Sequence, residues 1–237
     1  RLAPGQGGPA LADDLVHEMF HVFQLRRGEQ RWPDDLAALD AQPTPQLLGV
    51  KLAENRLLLR AAADTGDGAR ALLARVCALR RWRQAQCAID FELCAETVEG
   101  MAEHMGHQAL LQLDPAAAAR LRTRRAAVGE VSPLLLDARQ QGYLTGPLLL
   151  TAARAAGISL CHTLGAETRP LSTLLAAALK ILTRVRMRRR DQMHPAVGGI
   201  LDRAGAFFVT DLIDGQNLRI HGAQQHHKRV RLVRAGQ

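Results

Sequence analysis

The sequence predicts a mainly helical protein with a small β-containing segment at its C-terminal end. Hydrophobic residues make up 47% of the chain, aromatic residues make up only 3%, and alanine and leucine dominate. This composition favours helices that pack through aliphatic side chains. Strand-like stretches occur only after Pro195. We therefore expect a helical domain over residues 1–195 and a small β-containing segment over residues 196–237.

The first two helices have recognisable ends. The first is predicted from about Ala10 to Arg26 and ends at Gly28, because glycine commonly follows the last turn of a helix. Thr44 and Pro45 predict the start of the second, since threonine is a good N-cap and proline is tolerated at the first helical position. This second helix is expected to close near residues 64–66.

The later helices are predicted from stretches that lack helix-breaking residues and from prolines that mark helix N-termini. Asp67 to about Gln112 predicts one long helix, or two helices with a bend between Gln84 and Asp90. The remaining predicted elements are helices over Pro115–Val128, from just after Pro147 to Gly157 and from about Pro170 to Arg190. A short helix is one interpretation of Pro133–Gly142, and strands are predicted over Ala206–Thr210 and Val230–Val233.

The most informative stretch is the HExxH sequence of residues 17–21 in the first helix. Histidines four residues apart project from the same helix face, so both imidazoles can reach one tetrahedral Zn²⁺. Glu18 then lies beside the position of a metal-bound water. Val16, Phe20 and Phe23 predict an apolar flank, and so a buried helix with a polar seam. The alternative interpretation is two partly buried histidines and a solvated glutamate.

A catalytic zinc site needs a third protein ligand, and an acidic stripe offers one. Four glutamates recur with helical spacing: Glu92, Glu96, Glu99 and Glu103. They fall within about 60° of one another around a helix. Like charges at this spacing cost a few tenths of a kcal/mol per pair, so a facing cation is expected. The alternative is a solvated acidic face paired with Arg80, Arg81 and Arg83.

Residues 99–104, Glu-Gly-Met-Ala-Glu-His, resemble the Glu-Gly-x-Ala-Glu-Tyr segment that follows HExxH in gluzincin-type zinc metallopeptidases. The chain also resembles a poorly characterised bacterial group of predicted zinc peptidases, which share its His-Glu-x-Phe-His-x-x-Gln start. Similar segments in that group correspond to Glu54–Leu58, Tyr143–Gly146 and Asp214–Leu218. The resemblance covers about residues 11–235, and only HExxH and the segment starting at Glu99 are specific.

The resemblance implies a zincin-like helical body and a role for each matching residue. The implied zinc ligands are His17, His21 and Glu99, the general base is Glu18, and the carboxylate that orients a ligating histidine is Glu103. Tyr143 either stabilises the oxyanion or packs beside the site. Two features depart from the family pattern. His104 replaces the usual tyrosine, and only sixteen residues precede His17, so the sheet that precedes the HExxH helix in gluzincins is short or missing. The predicted C-terminal strands are one candidate to replace it.

These observations predict a zinc-dependent peptidase with Zn²⁺ as cofactor and a peptide or protein as substrate. The first alternative is a zincin-like metal-binding protein without proteolytic activity. A basic helical nucleic-acid-binding protein is the second, because the formal net charge is +8 and arginines crowd residues 184–190. We disfavour it, since only three basic residues are lysine and no aromatic residue lies within the arginine run. No nucleic-acid partner is therefore expected.

Three further features of the sequence concern membrane spans, cysteines and signal peptides. No run of eighteen apolar residues exists, so no membrane span is expected. The four cysteines form no CxxC pair and are expected to be free thiols: Cys77, Cys87, Cys94 and Cys161. No signal peptide is visible, but the chain opens on arginine rather than methionine. The sequence thus leaves both the compartment and the oligomeric state open.

Overall fold

The computed structural model describes residues 8–36, 43–160, 164–165 and 167–180. These residues are mainly helical and contain no strand. The helices in chain order are α1 (Gly8–Arg26), α2 (Pro45–Ala63), α3 (Gly66–Gln86), α4 (Asp90–Leu113), α5 (Ala117–Ala126), α6 (Ala138–Ala155) and α7 (171–180), with 3-10 turns at Ala127–Gly129 and Pro133–Leu136. The predicted strands, the arginine run and the domain boundary at 195 lie outside the described residues.

Helix α4 packs chiefly against α1, which carries the HExxH sequence, and against α6. Helix α2 contacts both α3 and α6. The start of α2 confirms the predicted cap, because the Leu47 N–H donates to the Thr44 hydroxyl oxygen at 3.3 Å. The long stretch over residues 67–112 forms two helices, and the break falls at residues 87–89, inside the region expected to bend.

α6 corrects the sequence prediction around Pro147. We expected a short helix ending near Gly142 and a second helix starting after Pro147, but one helix runs through both positions with the proline inside it. The proline has no N–H for the Tyr143 carbonyl, which loses one helical hydrogen bond. Apolar residues are buried on both sides of the proline. Their packing stabilises the continuous helix despite the local penalty.

Three glycines allow α4 and α6 to approach each other through their backbones. A Cβ atom on Gly100 would lie 2.5 Å from the Cα atom of Gly146, and a Cβ atom on Gly142 would lie 2.8 Å from the backbone of α4. No larger residue fits at these positions without moving a helix. Gly100 follows Glu99 in the chain, and Gly142 precedes Tyr143. The close contact therefore sets residues of α6 beside the acidic stripe of α4.

α1 packs with its polar side turned inward, which corrects the expected burial of its apolar flank. Only His17 and Gln24 are buried in this helix. The predicted flank stays half-buried or exposed: Val16, Phe20 and Phe23. The facing side of α4 carries Glu99 and Glu103, and buried carboxylates need polar partners. Large apolar side chains are left exposed on α1: Leu11, Leu15, Met19, Val22, Phe23 and Leu25.

Two smaller predictions concern cysteines and membranes. Cys77, Cys87 and Cys94 are free thiols, as expected, whereas Cys161 lies outside the described residues. Among the helices that the structure describes, none is long and apolar enough to cross a membrane.

Candidate metal centre

Three side chains from two helices converge on one point: His17 and His21 of α1, and Glu99 of α4. The two Nε2 atoms of the histidines lie 3.0 Å apart. The Glu99 Oε2 atom lies 3.1 Å from the His21 Nε2 atom and 3.7 Å from the His17 Nε2 atom. Ligands at about 2.0–2.2 Å from a tetrahedral zinc lie about 3.3–3.5 Å from one another. The three atoms are therefore already spaced for one metal ion.

The donor atoms also lack better partners. Glu99 Oε2 is buried and, although both imidazoles are close, it forms no well-directed hydrogen bond. A buried carboxylate oxygen without a hydrogen bond costs free energy, and two facing imidazole nitrogens share at most one proton. A cation at this point would satisfy all three atoms. Two imidazole nitrogens and one carboxylate oxygen form a donor set that suits Zn²⁺.

The second nitrogen of each histidine has its own acceptor. His21 Nδ1 lies 2.8 Å from Gln24 Oε1, and the Gln24 amide donates to the Val98 carbonyl oxygen at 3.1 Å. His17 Nδ1 lies 3.2 Å from Glu103 Oε2. Acceptors at Nδ1 favour a proton there and leave each Nε2 lone pair free for a metal. Sequence reasoning did not assign Gln24 a role, although its place three residues after His21 was visible.

Residues of α6 hold the Glu99 carboxylate from the other side. Arg139 Nη1 donates to Glu99 Oε1 at 2.8 Å, and the nearby Tyr143 hydroxyl helps to lower the pKa of this carboxylate. The Tyr143 ring stacks on the His17 imidazole, with centroids 5.6 Å apart and an interplanar angle of 14°. The structure thus places Tyr143 at the centre. Sequence reasoning missed Arg139, which belongs to no motif.

The pKa values follow from these contacts. Burial alone would lower the pKa of His17, but the nearby Glu103 and Glu99 carboxylates outweigh it and raise the pKa to about 9. The close Glu99 carboxylate raises the pKa of His21 as well. Burial would raise the pKa of Glu99, but the two nearby imidazoles hold it well below its usual range. Burial and the Glu99 charge raise the pKa of Tyr143 to about 12. Without a metal, protonated His17 supplies a positive charge beside the Glu99 and Glu103 carboxylates.

Glu18 lies at the exposed edge of the centre. Its side chain is solvent-accessible, and its negative charge contributes to the raised pKa of His17. In the part of the chain that the structure describes, no residue forms a hydrogen bond or ion pair with it. Trp32 lies against His21, with the two ring centroids 5.9 Å apart. An exposed carboxylate whose charge acts on His17 is suited to accept a proton.

A second layer of contacts supports Glu103. His107 Nε2 lies 3.1 Å and Arg124 Nη1 lies 2.7 Å from Glu103 Oε1. His107 Nδ1 lies 2.9 Å from the Arg125 guanidinium, so this histidine is not available to a second metal. His104 lines a separate cleft with Phe20 and Met101, and burial lowers its pKa to about 4. Among the described residues, the cluster around His17 is the one group with metal-binding geometry.

The other half of the acidic stripe lies in a buried ion network of six residues: Lys51, Glu54, Arg80, Arg83, Glu92 and Glu96. Arg80 donates to Glu96 Oε1 at 2.6 Å and to Glu54 Oε1 at 2.8 Å. Arg83 bonds both Glu54 and Glu92, and Lys51 Nζ lies 2.5 Å from Glu92 Oε1. The stripe is therefore buried along its length, which corrects the alternative of a solvated acidic face, although its pairing with Arg80 and Arg83 is present.

No family model, no curated protein and no solved structure matches this chain. The resemblance to gluzincin-type peptidases thus stays a prediction. The function has to be inferred from the residues of the centre and their geometry.

Proposed function

We propose that the protein is a zinc-dependent hydrolase of peptide bonds with a zincin-like helical body. The observation that carries the proposal is the convergence of His17 Nε2, His21 Nε2 and Glu99 Oε2 on one point. The unsatisfied, buried Glu99 oxygen favours a cation there. Three protein ligands leave a fourth position of a tetrahedral ion open, which is typical of catalytic rather than structural zinc.

A zinc ion held by His17, His21 and Glu99 would supply an activated water and a polarised substrate carbonyl. The remaining chemistry belongs to the protein. Glu18 accepts the proton of the attacking water and passes it to the leaving amine. Tyr143, whose raised pKa keeps its hydroxyl protonated, donates a hydrogen bond to the developing oxyanion. Glu103 and Gln24 hold the two histidines in the orientation that the metal needs.

The alternative function, metal binding without proteolysis, differs in the role of Glu18. In a hydrolase this carboxylate accepts the proton of water and donates it to the leaving amine. In a metal-binding protein it is an exposed side chain without a catalytic role. Replacing Glu18 therefore separates the two functions without touching a metal ligand.

The test combines metal content with turnover. Mass spectrometry should find about one zinc per chain in the wild type and in Glu18→Gln, and none in His21→Ala. A peptide library should be cleaved by the wild type and not by Glu18→Gln. Glu130→Gln, an exposed site with the same chemical change, is the matched control and should behave as the wild type. A wild type that takes up no zinc would refute the proposal, and zinc without cleavage would favour the alternative function.

A further inference from the structure

A cleft lies between the start of α2, the start of α4 and the segment that leads into α6, and Arg139 connects it to the candidate metal centre. Its volume is about 450 Å³, within the range typical of pockets for small organic ligands. Its walls are mostly apolar, with large side chains from all three segments: Leu47, Leu48, Phe91, Leu135 and Leu136. This lining suits a single apolar side chain better than a polar one.

Arg139 belongs to both the cleft and the centre. It lines the cleft, and its Nη1 atom lies 2.8 Å from Glu99 Oε1. Its Nη2 atom donates to Asp35 Oδ1 at 2.5 Å, and its guanidinium carbon lies 5.7 Å from the centroid of the Phe91 ring. The side chain is 35% exposed, so a molecule in the cleft can reach it. A planar guanidinium with several N–H donors matches a carboxylate well.

Three cationic side chains line the cleft, and they differ in how completely nearby carboxylates neutralise their charge. Lys51 and Arg83 are buried and paired with Glu92, which removes their charge from the cleft. Arg139 faces Glu99, whose charge a bound metal would share, and Asp35, which is 75% exposed and therefore well solvated. In the metal-loaded protein, Arg139 is thus the cation that is best able to bind an anionic group of a substrate.

We propose that Arg139 binds the terminal carboxylate of a peptide whose last, apolar side chain occupies the cleft. This inference rests on the proposed function and makes the protein a C-terminal exopeptidase. The oxygen of water adds to the carbonyl carbon of the last peptide bond, and the C–N bond breaks. The released amine takes up the proton, so that a shortened peptide and a free apolar amino acid leave the site. Because Arg139 touches a metal ligand, the bound carboxylate lies next to the reacting bond.

An internal peptide segment brings no carboxylate to this position. Its amide would displace the charged partners of Arg139 without replacing them, and a site built around a charged hydrogen bond rejects ligands that lack the matching group. The geometry therefore predicts discrimination between a free and an amidated C-terminus, which a structural role for Arg139 alone would not produce.

The test uses the zinc-loaded full chain and two acyl-dipeptides ending in leucine, one with a free carboxylate and one with a terminal amide. The wild type should cleave the free acid with a kcat/KM at least about 100-fold above that of the amide. Arg139→Gln should reduce this ratio to near one, and Arg139→Lys should restore part of it. Arg120→Gln is the matched control, because Arg120 is an exposed arginine paired with Asp114, and it should keep the full ratio. Zinc content is measured for every variant.

Asp35→Asn gives a second variant that does not alter the centre. Removing this exposed counter-charge should lower KM for the free acid and leave the amide unchanged. Calorimetric titration with N-acetyl-leucine and N-acetyl-leucinamide measures recognition without turnover, and only the acid should bind in an Arg139-dependent manner. Equal cleavage of both peptides and equal binding of both compounds would overturn the inference while the peptidase stands. Selective binding of the acid without cleavage of either peptide would retain the role of Arg139 and reject the peptidase.

Discussion

The two halves of the acidic stripe on α4 carry the same residue type but face different cations. Glu92 and Glu96 meet arginine and lysine side chains of the buried ion network. Glu99 and Glu103 each pair with one arginine, Arg139 and Arg124, but they also meet His17 and His21 at distances of 3.1–3.7 Å. All four carboxylates are buried. The difference between the halves therefore lies in the partners and not in the carboxylates.

Arginine and lysine keep their protons at any physiological pH, so the first half is a fixed ion network that holds α2, α3 and α4 together. Imidazoles can lose their protons, so the second half can exchange them for a metal ion. The same helix surface thus carries a fixed ion network at one end and, under the proposed function, a metal centre at the other. Three changes to side chains and one change of pH should separate these roles.

The largest effect is expected on breaking the ion network. Arg80→Met removes the shared partner of Glu54 and Glu96, which are almost fully buried, and leaves their charges incompletely compensated. We expect a loss of about 3–5 kcal/mol in the free energy of unfolding, measured by urea denaturation of the metal-free protein. Arg81→Met, on the exposed neighbouring residue, should change it by less than about 0.5 kcal/mol. Similar losses in both variants would show that the network adds no specific stability.

The next effect concerns metal affinity. Glu99→Ala removes a ligand atom, so zinc affinity should fall by more than about 100-fold, beyond the range typical of residues that only orient a ligand. Competition with a chromophoric chelator measures this affinity. Glu130→Ala serves as the control for a glutamate outside the centre. Equal zinc occupancy in the wild type and Glu99→Ala would remove Glu99 from the site.

A smaller loss of zinc affinity is expected on changing Glu103, one turn further along α4. Glu103→Gln keeps the shape of the side chain but weakens its hold on His17 Nδ1, at 3.2 Å in the structure. Zinc affinity should fall by about 10- to 100-fold without loss of the fold, as is typical for outer-shell carboxylates. The same chelator competition applies. A loss as large as that of Glu99→Ala would instead indicate that Glu103 binds the metal directly.

The sequence allowed local parts of this arrangement to be predicted. The spacing of His17 and His21, and the recurrence of glutamates along α4, depend only on helical periodicity, and the structure brings these side chains together as expected. The starts and ends of α1 to α4 agree with the predictions to within a few residues, because caps, prolines and glycines act locally.

Tertiary contacts determine the features of the fold and of the site that the sequence did not predict. Arg139 reaches Glu99 only because glycines let α6 approach α4, and the two residues lie forty positions apart. Burial of the apolar side chains on either side of Pro147 outweighed its local penalty and made α6 continuous. Which half of the stripe meets histidines depends on where α1 and α3 pack, and periodicity along α4 carries no such information.

The last prediction uses pH to distinguish the halves in the metal-free protein. The folded pKa of His17, about 9, lies above its unfolded value near 6.5, so the folded state binds more protons between these values. The stabilisation is therefore complete below about pH 6.5 and is lost as the pH rises through 9. Because the centre is partly open to solvent, we expect a decrease of about 1 kcal/mol in the free energy of unfolding.

The ion network should not contribute to this slope, since nearby carboxylates raise the pKa values of Arg80 and Arg83, and the facing cations lower the pKa values of Glu54 and Glu92. Urea denaturation in the presence of a chelator, repeated across this pH range, measures the slope. It should shrink in His17→Gln and persist in Arg81→Met, which leaves every residue of the centre in place. An unchanged slope in His17→Gln would mean that His17 is not held protonated by its carboxylates, and the contrast between fixed and exchangeable cations would then fail.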